Sequence, residues 1–504
     1  MDLFDGLILG VQVAFSPINL FYCLVGVTLG TAIGVLPGVG PLVTISLLLP
    51  LTFGLSPEAA LIMLAGIYYG AAYGGSTTSI LVNLPGESSS AVTCIDGYQM
   101  ARQGRAGAAL AIVAIGSFVA GTIGTLLVVV AGPTVASLAL QFGAAEYASL
   151  IILALIATAA LARGGLVKGA GMGLLGVLCG LVGADVTTGT LRYTFDLINL
   201  NDGINFIIVA VGLFALIEIV FSISSQSDPQ NVDTKVGTLW PSWPELKAAF
   251  PAVLRGTAVG SFFGALPGAG QVISSFAAYM LEKNIARDPS RFGNGAVEGV
   301  AAPESANNAA SQTAFIPTLT LGIPGSPVMT LMLGALMIQG IAPGPRVITD
   351  YPNLFWGLVV SMWLGNLLLV ILNLPLVGIW VKVLKVPYQW LYLFVLGFAC
   401  VGVYSVHSSG FDVGLAAFFG LVGYLLLKAN CSASLFVLGL VLGPMLEENF
   451  RRAMLISDGD PSVFFTSPIS AACLAIALLL TISLAIAAAR SRRADATRSS
   501  ERSA

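Results

Sequence analysis

Gly30-Thr31-Ala32-Ile33-Gly34-Val35-Leu36-Pro37-Gly38-Val39-Gly40 decides the fold, because it returns as Gly260-Ser261-Phe262-Phe263-Gly264-Ala265-Leu266-Pro267-Gly268-Ala269-Gly270. Both stretches keep the frame Gly-x-x-x-Gly-x-Leu-Pro-Gly-x-Gly, and the offset from Gly30 to Gly260 is 230 residues. A long motif recurring in frame marks an internal duplication. Each copy also sets helix breakers into an otherwise apolar run. Proline has no amide donor and glycine takes conformations that other residues avoid, so the break leaves backbone groups without intrahelical partners. Inside a membrane such breaks line a site.

The composition puts those breaks in a membrane. Of 504 residues 56% are hydrophobic and 9% charged, with a mean hydropathy of +0.91; a soluble domain carries roughly 25% charged residues. The expected fold class is an all-α polytopic membrane protein. Apolar runs of about 17–25 residues, enough to cross a bilayer, fall near 106–131, 146–162, 168–184, 203–221, 353–372, 388–406, 411–427 and 468–489. With the interrupted runs they predict about twelve transmembrane segments. The start, Met1-Asp2-Leu3-Phe4-Asp5, lacks the basic region of a secretory signal.

The first copy splits an apolar stretch, 24–53, into two arms that are each short for a crossing, and the second splits 255–283. Arg255 and Lys283 flank the second stretch. If both lie on the cytoplasmic side, the segment is a re-entrant hairpin whose Leu-Pro-Gly tip points to the bilayer middle. No Lys or Arg precedes Arg102, and Asp2 and Asp5 are the only charges before the first hairpin. The first hairpin is therefore expected to start from the opposite face, which makes the halves inverted repeats. The predicted organisation is a first repeat over 1–221 with a broken helix at 58–86, then a polar linker and interfacial segment at 222–250. A second repeat with scaffold helices follows over 251–489, with a broken helix at 296–325, and a basic tail closes the chain at 490–504. Arg490, Arg492, Arg493, Arg498 and Arg502 place that tail in the cytoplasm. Positive-inside topology accounts for these charges without nucleic acid.

Each hairpin is followed by a polar cluster and another Pro-Gly. In the first half Ser76-Thr77-Thr78-Ser79 leads to Asn83-Leu84-Pro85-Gly86-Glu87; in the second, Pro303-Glu304-Ser305-Ala306-Asn307-Asn308 and Gln312-Thr313 lead to Gly322-Ile323-Pro324-Gly325. Free amides at half-helix N-termini suit carboxylates, while carbonyls, hydroxyls and carboxamides suit a desolvated cation such as Na⁺. The candidate substrate-binding residues are thus Pro37, Gly38, Gly40, Ser76, Thr77, Thr78, Pro267, Gly268, Gly270, Asn307 and Asn308. Ser79, Asn83, Ser305, Gln312 and Thr313 are the candidate cation ligands. Small and hydroxylated residues also serve plain helix packing. Glu87 and Glu304 adjoin the breaks, where a carboxylate is either a cation ligand or a loop-end group facing water. Glu218 and Glu146 read as interfacial.

Enzymatic chemistry lacks its residues. His407 is the single histidine, which removes His-Glu metalloprotease motifs, and there is no Gly-x-Ser-x-Gly elbow or phosphate-binding loop. The six cysteines are scattered without paired spacing, so neither a disulfide framework nor a metal centre is expected. No cofactor is expected beyond a transported Na⁺ or H⁺ as coupling ion; the scarcity of buried acids and the single histidine favour Na⁺.

Five stretches carry a resemblance: Gly34-Val35-Leu36-Pro37-Gly38-Val39-Gly40-Pro41, Tyr69 to Leu81, Asn83-Leu84-Pro85-Gly86-Glu87, Pro303 to Ala309, and Leu321-Gly322-Ile323-Pro324-Gly325-Ser326. By these the chain resembles, over its full length, the large membrane subunit of the tripartite tricarboxylate transporters. The resemblance implies a small four-helix membrane subunit and a periplasmic solute-binding protein as partners. It also implies an organic acid substrate, coupling to a cation gradient, and a bacterial inner membrane location. Similarity to elevator-type carriers implies a mobile domain built from two hairpins and two broken helices. The expected function is a secondary active transporter subunit importing a tricarboxylate or related acid such as citrate. The alternative is a channel-like or export permease for small organic anions.

Overall fold

The computed structural model describes residues 2–161, 165–185, 187–217, 236–268, 270–384, 388–483 and 486. Glu218, residues 222–235 of the predicted linker, Ala269 and the basic tail at 490–504 lie outside them.

The chain is helical. In order the helices are α1 (Leu3–Ala14), α2 (Pro17–Gly34), α3 (Pro41–Leu48), α4 (Pro57–Val82), α5 (Ala91–Arg102), α6 (Ala106–Ala139), α7 (Ala144–Ala160), α8 (Leu166–Gly180) and α9 (Phe206–Ala210). There follow α10 (Trp243–Gly264), α11 (Gly270–Ile285), α12 (Glu298–Thr313), α13 (Phe315–Leu321), α14 (Pro327–Ile338), α15 (Arg346–Asp350), α16 (Pro352–Asn373), α17 (Val377–Val383) and α18 (Tyr388–His407). The last are α19 (Gly410–Lys428), α20 (Ala433–Ile456), α21 (Val463–Thr466) and α22 (Pro468–Ser483). A serine followed by proline opens several of them: the serine oxygen takes a free amide of the first turn, and proline there loses no hydrogen bond. Ser56 accepts from the Ala59 amide at 3.3 Å, and Ser326 accepts from that of Met329 at 3.3 Å. At α10 a full capping box forms, with Glu245 accepting from the Ser242 amide at 2.7 Å.

Among the described residues five helices are long and apolar enough to cross a membrane: α2, α6, α16, α19 and α20. Together with the shorter apolar helices they make this a helical, multi-pass membrane protein. One departure from pure helix is the short antiparallel pair Gly183–Ala184 with Leu191–Arg192, formed where the chain turns back after α8. Arg451 and Arg452 sit inside α20. Their charges are carried there because Arg451 pairs with Asp185 and Glu447, and Arg452 with Glu448 one turn earlier.

Residues 1–139 and 207–424 form one compact unit. Its two most extensive helix pairings are α2 on α4 and α10 on α12, and they repeat each other. Gly26, Gly30 and Gly34 line one face of α2, and a Cβ on any of them would run into the main chain of Met63, Ile67 and Ala71 in turn. Gly256, Gly260 and Gly264 of α10 meet the main chain of Ala302, Ala306 and Ala310 in the same way. The hairpin glycines recur at 230 residues, and the residues they touch recur at 239, as do the prolines Pro85 and Pro324. The duplication is thus visible in packing as well as in sequence. Residues spaced by four share a helix face, so these rows let backbones approach without side chains between them.

Residues 140–206 and 425–504 form the second compact unit. It has its own glycine contacts, Gly439 and Gly443 of α20 against Gly173 and Val177 of α8, and its own polar tie, Ser149 to Ser470 at 2.6 Å.

Candidate functional site

The two motif copies form two tips, each turning on a Pro-Gly glycine of positive φ. Between α2 and α3 the chain turns at Leu36–Gly40 with Gly38 at φ 84°; between α10 and α11 it turns at Leu266–Gly270 with Gly268 at φ 77°. Positive φ at that position is what the frame's Pro-Gly supplies. Each tip rests on the second break of its own half. A Cβ at Gly40 would lie 3.1 Å from Glu87 and 3.2 Å from the Gly86 carbonyl; one at Gly270 would lie 3.5 Å from Ser326 and 3.6 Å from the Gly325 carbonyl. The breaks match too. Asn83 ends α4 at φ 57°, and Gly322, 239 residues on, ends α13 at φ 69°, both left-handed. Behind them Gly86 packs on Gly75, and Gly325 packs on Ala314.

Polar residues connect the two tips. Next to the first tip, Glu87 accepts from Asn307 Nδ2 at 2.9 Å and from the Ser89 hydroxyl. The Asn307 carbonyl accepts from Ser311 Oγ at 2.8 Å. Ser311 in turn takes Gln271 Nε2 at 2.6 Å, and Gln271 follows Gly270 of the second tip. Contacts therefore run from Gly40 through Glu87, Asn307, Ser311 and Gln271 to Gly270. Beside this path Ser76 Oγ donates to Glu304 Oε2 at 2.6 Å, and Thr93 donates to Oε1 of the same carboxylate. Glu304 is 1% exposed. The rings of Tyr68 and Tyr69 stack at 5.4 Å and meet Phe315.

Helical spacing sorts the polar residues of α12 into two faces. Glu304, Asn307 and Ser311 are spaced as i, i+3, i+7 and face Ser76, Glu87 and Gln271. Ser305, Asn308 and Gln312 form the neighbouring face, against α6: Asn308 Nδ2 donates to Ser117 at 2.7 Å, Gln312 takes Thr125 at 3.4 Å, and Ser305 lies over Gly116. The predicted site residues divide accordingly. Asn307 is joined to the first tip through Glu87 and to the second through Ser311 and Gln271, with Gly40 and Gly270 at the two ends, and Ser76 stands beside this path on Glu304. Pro37, Pro267 and Gly268 are half-buried on the turns and Gly38 is exposed. Thr78 donates to the Val35 carbonyl and so ties α4 to the first tip. Thr77 is buried, its hydroxyl 3.4 Å from the Tyr73 carbonyl. Ser79 and Thr313 return hydrogen bonds to their own helices, at Gly75 and Ala309. Asn83 is an exposed helix cap.

Sequence reading missed Thr93, Ser311, Gln271 and Tyr68. Ser311 had a signal, its spacing of seven from Glu304; the others became neighbours only through tertiary packing. It also missed Asp96, fully buried on α5, which accepts from Tyr279 Oη at 2.9 Å and from the amides of Gly293, Gly295 and Ala296 at 2.9, 2.8 and 2.8 Å. With Arg105 on Glu245 at 2.6 Å, Asp96 fastens the first half to the open end of the second hairpin.

The tripartite tricarboxylate transporter TctA family matches residues 20–438. The chain belongs to that family. It is 54% identical over 493 residues to an uncharacterized 52.8 kDa protein in TAR-I ttuC' 3'region of Agrobacterium vitis, covering 98% of each chain. An uncharacterized protein in TAR-II ttuC' 3'region of the same organism is 55% identical over 234 residues, which cover 46% of this chain and 97% of that one. No solved structure matches. Family membership makes the chain a component of a tricarboxylate transporter, in a family of transporters rather than of enzymes.

Proposed function

We propose that the chain is the translocating subunit of a secondary active importer for a tricarboxylate or related organic acid, citrate-like in class, coupled to a cation gradient. The polar path joining the two tips carries this reading. Two Pro-Gly turns, each beside a helix start, offer unpaired amides to carboxylates, and the hydroxyls and carboxamides between them offer oxygen to a cation. The substrate residues are Pro37, Gly38, Gly40, Ser76, Thr77, Thr78, Pro267, Gly268, Gly270, Asn307 and Asn308.

In this reading the two hairpins are re-entrant, their tips near the bilayer middle, and the halves at 1–221 and 251–489 are inverted repeats among about twelve crossings. An elevator-type displacement of hairpins and broken helices gives alternating access. A periplasmic binding protein delivers the acid, a small four-helix membrane subunit accompanies the chain, and the assembly sits in the inner membrane with its C-terminus in the cytoplasm.

Uptake into membrane vesicles carrying the full chain and its partners tests the proposal. Saturable accumulation that stops when the ion gradient is collapsed is expected. Gradient-independent flux at channel rates would replace the carrier by a permease that uses the breaks as a filter. Alanine at Asn307 or Thr77 should abolish accumulation at normal membrane abundance, and unchanged uptake in both removes them from the site.

A further inference from the structure

A carboxylate buried in a helical core without a basic partner has to be neutralised. Glu304 is such a group. Both of its oxygens act as acceptors, Oε2 from Ser76 at 2.6 Å and Oε1 from Thr93, as those of an ionised carboxylate do. Among the described residues no Lys, Arg or His forms an ion pair or hydrogen bond with it. From α4 come Ser76 and Tyr73, from α5 Thr93 and Cys94, from α6 Ser117, and from the break after α4 a second carboxylate, Glu87, whose charge also acts on Glu304. On α10 and α11 the charges of Arg255 and Glu282 are engaged with each other at 2.6 Å.

A second observation points to a missing partner at the same place. Asn307 is 1% exposed and its amide lies against Glu87 through Nδ2 at 2.9 Å, but its Oδ1 has no hydrogen-bond partner among the described residues. That acceptor belongs to a side chain hydrogen-bonded to Glu87 and lying one turn along α12 from Glu304, where a cation satisfies it as a donor would. Hard monovalent and divalent cations are held by oxygen alone, and two carboxylates with a carboxamide are such a donor set.

We propose that Glu304 and Glu87, with Asn307 Oδ1, bind a desolvated monovalent metal cation of the Na⁺ class. Resting on the carrier reading above, this assigns the coupling ion to residues other than Ser79, Asn83, Ser305, Gln312 and Thr313. It also explains why the ion and the acid depend on each other. Glu87 touches the first tip and Asn307 belongs to the path between tips, so a cation there neutralises the charge that would repel an incoming carboxylate.

Equilibrium binding of radiolabelled Na⁺ to the purified full-length chain is the test, read beside the Na⁺ dependence of uptake. The wild-type chain should bind Na⁺ saturably. Glu304→Gln should raise the half-saturating Na⁺ concentration by about tenfold or more, since affinity follows the charge of the ligands. Glu87→Gln and Asn307→Ala should raise it too, which keeps the test decisive if Glu304→Gln does not fold. Unchanged binding in the Glu87 and Glu304 variants overturns the proposal. So does wild-type uptake driven by a proton gradient in Na⁺-free buffer and lost in Glu304→Gln, which would make Glu304 a proton carrier. Binding is measured without transport, so uptake that ignores ion gradients would remove the carrier reading while this site is decided separately.

Discussion

The two halves share a backbone and divide the chemistry. In the first, glycines stand on both sides of the α2 and α4 contact, Gly66, Gly70 and Gly74 answering Gly26, Gly30 and Gly34. In the second, α10 keeps its glycines, but the α12 positions 239 residues after Gly66, Gly70 and Gly74 hold Ser305, Ala309 and Thr313. Where α4 has Ala65, Tyr68, Tyr69 and Tyr73, the positions 239 residues later hold Glu304, Asn307, Asn308 and Gln312. Duplication thus supplied the geometry twice, while at these four helix positions carboxylate and carboxamides entered one copy. Aromatic rings in the other wall that polar face. A pair of helices whose backbones touch fixes where side chains point, and this is what allows one copy to change its chemistry without losing its shape.

Breaking the backbone contact should have the largest effect, and it should be equal in both halves. Leucine at Gly30 or Gly260 drives a side chain into a facing main chain, which costs about 3 kcal/mol or more; fluorescence-detected size exclusion should show loss of folded protein for each. Damage from only one of them would mean that the two packings are not equivalent. Chemistry should break asymmetrically. Asn307→Ala should lower uptake by about 100-fold, the scale of a misplaced positioning group, whereas Tyr68→Phe at the matching place should leave it within about threefold. Equal losses would contradict the division of labour. Asp96→Asn comes next: it weakens a charged acceptor of three amides and should cost about 1.5–3 kcal/mol, read as a lowered thermal midpoint. No position in the second half repeats that tie, since the residue 239 further on is Ala335. The smallest change sharpens the comparison from outside. Gly171→Ala on α8, with nothing within 4 Å of the new methyl, should stabilise by about 0.5–1 kcal/mol, in contrast to every glycine of the paired rows.

Much of this was legible in the chain. The Leu-Pro-Gly frames and the second Pro-Gly of each half announced the turns, because proline and glycine act locally wherever they stand. Gly30 and Gly34 announced close packing, but not against which helix. Their partners at Met63 to Ala71 carry no mark of their own, since a backbone can be touched at any residue. Glu304 was legible as a polar residue near a break, not as a buried one: burial depends on α4, α5 and α6 closing over it. Asp96 was invisible, for its amide partners, in the loop at Gly293, Gly295 and Ala296, lie about 200 residues away. Asn83 misled in the opposite sense. A carboxamide beside a break reads as a ligand, while left-handed caps favour the same residue type.

The glycine rows have a mechanical consequence. Teeth spaced every four residues on one helix mesh with main chain at the same pitch on the other, so the two surfaces are commensurate. Sliding by less than that pitch, about 6 Å along the axis, would bring the bulk between glycines onto the opposing backbone. Hairpin arm and partner helix are therefore locked together, like a rack and its bar. Whatever surface yields when the chain changes state has to be sought on the outer faces of these pairs, never at the seam within them.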